Sequence, residues 1–125
     1  MRHRPWAALG AVVVASLVSG CGVDGSPGET APAAEGARTI EVAGASLAFV
    51  PERIEIEAGA DVAIALRSTD VEHTLVIDEV GFFVAARRGQ RRAGGLRVDV
   101  PGVYTAYCSV PGHRAGGMEL TVTVR

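Results

Sequence analysis

Residues able to bind soft metals or shuttle protons are scarce in this chain, which has two Cys, two Met and three His among 125 residues. Aromatics make up 5%, and every basic side chain is Arg, because the sequence contains no Lys. The formal net charge is −2, so the basic surplus that a nucleic-acid partner demands is missing. Long apolar runs are missing too. The longest uncharged apolar stretch, Trp6 to Val18, falls short of the roughly 20 residues that a membrane-spanning helix needs. What little Cys, His and Met there is lies unevenly: residues 108 to 118, CSVPGHRAGGM, hold one of each.

The first residues, MRHRPWAALGAVVVASLVSGC, begin with Arg2 and Arg4, continue through the apolar stretch and end in small residues before Cys21. That is the layout of an export signal, removed from the mature protein. Val18-Ser19-Gly20-Cys21 resembles the bacterial lipobox, so residues 1–20 are expected to be a lipoprotein signal peptide and Cys21 the lipidated mature N-terminus. Two or more acyl chains give the stable anchoring that one chain does not. Loss of Arg2 and Arg4 leaves 10 Arg against 14 acidic side chains, a mature charge of −4. With Cys21 acylated, Cys108 has no partner for an intramolecular disulfide, and an unpaired thiol in an exported protein calls for an explanation. Residues 22–37, GVDGSPGETAPAAEGA, are too poor in apolar side chains to order themselves, and together with Cys21 form an expected flexible linker over 21–37. Such a coil spans on the order of 20 Å.

Residues 38–125 suffice for one domain. Short β-branched runs recur between Gly and Pro breaks: TIEV (39–42), RIEIE (53–57), VAIALRS (62–68), HTLVI (73–77), LRVDV (96–100), GVYTAYC (102–108) and MELTVTV (118–124). This spacing predicts an all-β antiparallel sandwich or barrel of about seven to eight strands. Helix signals are weak, and only VGFFVAARR (80–88) suggests a turn or two. Alternation places His73 on one face with Leu75 and Ile77, and Cys108 on one face with Tyr104 and Ala106, so imidazole and thiol can meet at one end of the sandwich.

Two imidazole nitrogens, one thiolate and a weak axial thioether suit a one-electron copper centre. The spacing C-x4-H-x4-M lets Cys108, His113 and Met118 come from one loop, bent at Pro111-Gly112, with Gly116-Gly117 allowing close approach before Met118. With His3 lost alongside the signal, His73 is the one remaining candidate for a second imidazole. Taken singly, a His on an apolar strand is usually a core residue, and a buried Cys usually behaves as a small hydrophobe. Their co-occurrence with an ordered loop spacing is what carries the reading.

On these residues the domain resembles the cupredoxins, the blue-copper family of plastocyanin and azurin, with a loop most similar to that of auracyanin. FVPERIEIEAGADVAI (49–64) is similar to the family's opening pattern, and the likeness covers nearly all of 38–125. The resemblance implies a Greek-key β-sandwich, one type 1 copper ion held by His73, Cys108, His113 and Met118, and one-electron carriage. It also implies that His113 is the electron port, within an apolar patch that Val110, Pro111, Phe82 and Phe83 are candidates to form. Many members have Asn after the first His, where this chain has Thr74, and segment 80–95 matches no pattern of the family.

The expected protein is a monomeric, lipid-anchored electron carrier, not an enzyme, at the outer face of the cytoplasmic membrane or in the periplasm or cell surface. Its partners are other redox proteins. Oxidase-type multicopper sites need further His, a dinuclear copper site needs a second loop Cys, and a Cys-protease reading lacks its Asn or Asp and its scaffold. The alternative is a copper-binding protein for delivery, storage or scavenging, against which a single mature Met argues. Arg87, Arg88, Arg91 and Arg92 form a local positive cluster, either a solvated loop or a device for steering an acidic partner.

Overall fold

A computed structural model describes residues 28–125; residues 1–27, with the signal segment and Cys21, lie outside the described region. Nine strands form: β1 (Arg38–Ala45), β2 (Ala48–Val50), β3 (Arg53–Ile56), β4 (Val62–Ser68), β5 (His73–Ile77), β6 (Phe82–Ala86), β7 (Arg91–Leu96), β8 (Gly102–Tyr107) and β9 (Glu119–Val124). They make two sheets, ordered β2-β1-β4-β7 and β3-β9-β8-β5-β6. β1 runs parallel to β4, β3 runs parallel to β9, and the remaining pairs are antiparallel. The all-β sandwich expected from strand spacing is therefore present, with more strands than the seven runs suggested.

Alternation builds the core. Val42, Ile64, Leu66 and Phe49 from one sheet meet Leu75, Ile77, Phe82, Val84, Ala106, Leu120 and Val122 from the other, all at most 1% exposed. Removing the two Phe side chains from water contributes about 1.5–3 kcal/mol each.

Two sequence expectations are corrected over residues 80–100. The suggested helical turns over 80–88 are strand β6, because Phe82, Val84 and Ala86 face inward while Phe83 and Ala85 face outward, a period of two. A single 3-10 turn precedes it at Asp78–Val80 and closes on Gly81 with φ 63°. The run 96–100 is not a strand beyond Leu96; instead RRAGGL (91–96) pairs with β4, from Arg67↔Arg91 to Val62↔Leu96. Gly94-Gly95, which marks a break in the sequence reading, is strand, and its lack of side chains has a steric cause. A Cβ on Gly95 would lie 2.7 Å from the Ala33 Cα, and one on Gly94 would lie 2.9 Å from Val84 and 3.1 Å from Thr30.

The chain before β1 fills this space. Thr30 N–H donates to the Phe83 carbonyl (2.8 Å), Phe83 N–H donates to Thr30 Oγ1 (2.8 Å), and Gly95 N–H donates to the Ala31 carbonyl (2.7 Å). Residues 30–33 thus form a strap along the seam between β6 and β7, the edge strands of the two sheets. The expectation that everything up to residue 37 stays unattached fails here, because backbone hydrogen bonds to strand edges need no apolar side chains.

Candidate metal centre

His73 opens β5, opposite Ala86 of β6, and is fully buried. Cys108 follows the last residue of β8, and Met118 precedes the first residue of β9; both side chains are fully buried. Between them the loop closes on its own backbone: Cys108 N–H donates to the Met118 carbonyl (3.1 Å), and Met118 N–H donates to the His113 carbonyl (3.1 Å). These bonds fix the spacing of the three loop residues. Gly112 and Gly117 take φ of 83° and 96°, a region that side chains resist.

The thiol and the two imidazoles converge. Cys108 Sγ lies 4.0 Å from His73 Nδ1 and 3.5 Å from His113 Nδ1, and the three donor atoms lie within 4.8 Å of one another. The two rings are 5.2 Å apart, tilted by 55°. Donors about 2 Å from a common ion, at trigonal angles, are separated by roughly 3.5 Å. The residues therefore fit one copper ion without large movement, and two Nδ1 nitrogens plus one sulfur are the donor set of a type 1 centre. Met118 is held beside them through its backbone bonds to Cys108 and His113.

Thr74 settles what replaces the Asn of the family pattern. Its backbone N–H points at Cys108 Sγ (3.4 Å), and its Oγ1 accepts from Ser109 N–H (2.7 Å) while pairing with Ser109 Oγ (2.8 Å). The hydroxyl thus ties β5 to the residue after the thiol. Sequence reading missed three supporting residues: Asp70, whose Oδ1 meets His73 Nε2 at 2.7 Å, Gly44, which lies against the His73 ring, and Ser109. An Asp three residues before a metal-binding His was the available signal for the first.

The outer side of the loop is braced as well. The Arg114 guanidinium stacks 4.0 Å over the Tyr107 ring and pairs with Glu119 (2.9 Å), and the Tyr107 hydroxyl donates to the Asp78 carboxylate (3.1 Å). Burial, and then the Asp78 carboxylate, push the Tyr107 hydroxyl up from its ordinary range, so it stays protonated and donates. Of the expected apolar patch around His113, Val110 is half-buried and Pro111 exposed. Phe82, at 1% exposed, belongs to the core, and Phe83 is half-buried, with its backbone bonded to Thr30 of the strap. Exposed Leu47 adds apolar surface, because it lies against Gly116 of the loop.

Residues 37–125 match the model of the copper binding proteins, plastocyanin/azurin family. The chain belongs to that family. Its fold is the cupredoxin fold, shared with the auracyanin of the photosynthetic bacterium Roseiflexus castenholzii (22% identity, 71% of this chain and 98% of that one, TM-score 0.60). It is also shared with auracyanin A, a blue copper protein of Chloroflexus aurantiacus (19% identity, 72% and 100% covered, TM-score 0.61). The metal binding domain of the Cu(I)-exporting P-type ATPase CopA of Streptococcus pneumoniae is similar to the same degree (15% identity, 78% and 96% covered, TM-score 0.60). No curated protein sequence matches the chain. Backbone similarity alone thus does not separate a blue copper protein from a metal-transport domain, and the separation has to come from the site.

Proposed function

We propose that this cupredoxin is a one-electron carrier using a single type 1 copper site, tethered to the outer face of the cytoplasmic membrane through lipid on Cys21. The observation that carries the reading is the contrast in burial within the donor set. His73, Cys108 and Met118 are fully buried, while His113 is half-buried, its backbone N–H on the Val110 carbonyl. His73, Cys108, His113 and Met118 would hold the ion, which when bound supplies the one-electron chemistry. The protein's part is to keep these residues in place for both charge states. The sandwich holds His73, the backbone bonds hold the loop, and Thr74 N–H offers a hydrogen bond to the Cys108 sulfur. The half-buried His113 edge gives an electron a short route to a docked partner without exposing the metal.

The reading as a delivery, storage or scavenging protein is the weaker one. A donor that hands on its metal needs ligands that an acceptor's ligands can reach, and three of the four are inaccessible here. Nothing in the arrangement calls for catalysis, and we take the protein to be a monomer that meets other redox proteins. Among the described residues no helix is long and apolar enough to cross a membrane.

The test uses the full chain expressed with its N-terminus and recovered from membranes. Copper(II) addition should give strong visible thiolate-to-copper absorption and a reversible one-electron couple, both abolished by Cys108→Ser. A colourless copper-binding protein would instead favour metal handling. Mass spectrometry of the N-terminal peptide should show diacylglyceryl on Cys21, and an unmodified or internal Cys21 would remove the tether while leaving the copper reading standing.

A further inference from the structure

His73 turns Nδ1 toward Cys108, which leaves Nε2 facing away from the donor cluster. There it meets Asp70 Oδ1 at 2.7 Å. The carboxylate is itself held in place. Oδ1 also accepts Val71 N–H (2.8 Å), and Oδ2 accepts Ser46 N–H (2.7 Å) from the turn between β1 and β2. In that turn Ser46 and Leu47 both take positive φ, 51° and 63°, a conformation that costs energy for residues with side chains. Asp70 therefore connects three segments: the loop before β5, the strained β1–β2 turn and the ring of the strand-borne imidazole. The ring is also packed on one side. A Cβ on Gly44 would lie 3.1–3.3 Å from three His73 side-chain atoms, so the bare Gly backbone serves as a wall for the imidazole.

A neutral imidazole carries one N–H, and a carboxylate fixed at Nε2 demands it there. The lone pair is then on Nδ1, which faces Cys108. A carboxylate accepting from the far nitrogen also makes the near nitrogen a stronger donor, and a stronger donor favours the more highly charged metal state. We propose that Asp70 is a positioning residue that fixes His73 in the Nε2–H tautomer and lowers the reduction potential of the centre by favouring Cu(II) over Cu(I). The first half concerns the protein alone; the second rests on the copper reading given above.

The two halves are tested separately. In the metal-free wild-type chain, long-range proton–nitrogen NMR of His73 should show the Nε2–H tautomer alone. A dominant Nδ1–H form would overturn the proposal without any substitution being made. In the copper-loaded protein, Asp70→Asn should shift the ratio of Cu(II) to Cu(I) affinity about tenfold toward Cu(I), a rise of 59 mV for a one-electron couple. A folded, blue Asp70→Asn protein with an unchanged potential would sink the electronic role. Should the variant not fold, Asp70→Ser, a smaller neutral replacement, should raise the potential in the same direction, and no rise there would sink it equally. A wild-type protein that shows the expected tautomer but gives no blue copper site would refute the proposed function and leave the orienting role intact.

Discussion

The two imidazoles of the centre are supplied in opposite ways. His73 comes from a strand, fully buried, with its ring against Gly44 and its far nitrogen on a carboxylate that two backbone N–H groups hold in turn. His113 comes from a loop, half-buried, with its Nδ1 on Cys108 and its backbone N–H on the Val110 carbonyl. One is fastened from every side and the other is left open along one edge. The difference separates two tasks: a site that must not rearrange needs a rigid ligand, and a site that must exchange electrons needs one ligand close to solvent. Deleting each ring in turn breaks the comparison most directly. His73→Gly should cost about 2–4 kcal/mol of stability, since it opens a cavity beneath Gly44 and strips Asp70 of a partner. His113→Gly should cost less than about 1 kcal/mol. Added imidazole should restore the visible spectrum of the His113 variant and not that of the His73 variant. Equal rescue of both would show that the burial difference has no chemical consequence.

The same asymmetry extends to what supports each ligand. His73 is on β5, β5 pairs with β6, and β6 is bonded on its other side to the strap of residues 30–33. The loop side receives no such support from the strap. Gly95→Ala sharpens this, because the new methyl would meet the Ala33 backbone at 2.7–3.0 Å and neither chain can yield without parting from the other. The expected loss is about 1–3 kcal/mol, each kcal/mol lowering Tm by about 4–8 °C in a domain of this size. Protease cleavage between residues 28 and 37 should accelerate in step. If Tm falls by less than about 2 °C, the strap is a bystander and β6 is stable without it.

Much of this site was legible in the sequence and some of the fold was not, for a reason that the glycines make plain. The loop ligands announce themselves through chemistry and spacing, and His73 through its place at the start of an alternating run. Gly44, Gly94 and Gly95 look like strand breaks when only intrinsic preference is considered. Each is in a strand because another part of the chain needs the room: an imidazole at Gly44, the strap at Gly94 and Gly95. Likewise, β6 carries two adjacent Phe and two Ala and shows its period of two only once the inner face is known. Asp70 was signalled only weakly, by its place three residues before a His, and its role shows once the turn bearing Ser46 is folded beside it. Local pattern reveals which residues have chemistry to offer; which of them share a partner depends on contacts between segments far apart in the chain.

The smallest expected effect concerns the surface around the two ligands. Pro111 of the ligand loop and Leu47, which lies against that loop at Gly116, are exposed and apolar, whereas the chain just beyond the β6 partner of His73 carries Arg87, Arg88, Arg91 and Arg92. These are not one free loop, as the sequence suggests. Arg91 lies on β7 in a two-pronged pair with Glu41, and Arg87 pairs with Glu72 at 3.4 Å, so half of the cluster is partly neutralised by neighbours. Exposed pairs of this kind add little stability, about 0–1 kcal/mol. Their remaining field reaches about 8–10 Å in physiological salt, enough to bias approach and not to hold a complex. Steering of an acidic partner should then show in on-rate alone. With hexacyanoferrate(III) as an anionic oxidant of the reduced protein, the wild-type second-order rate constant should fall as salt rises. Replacing all four Arg by Gln should flatten that slope, lower the low-salt rate a few-fold and leave the high-salt limit and the visible spectrum unchanged. An identical salt dependence in the two proteins would confine the cluster to its ion pairs and leave the apolar rim of His113 as the whole of the docking face.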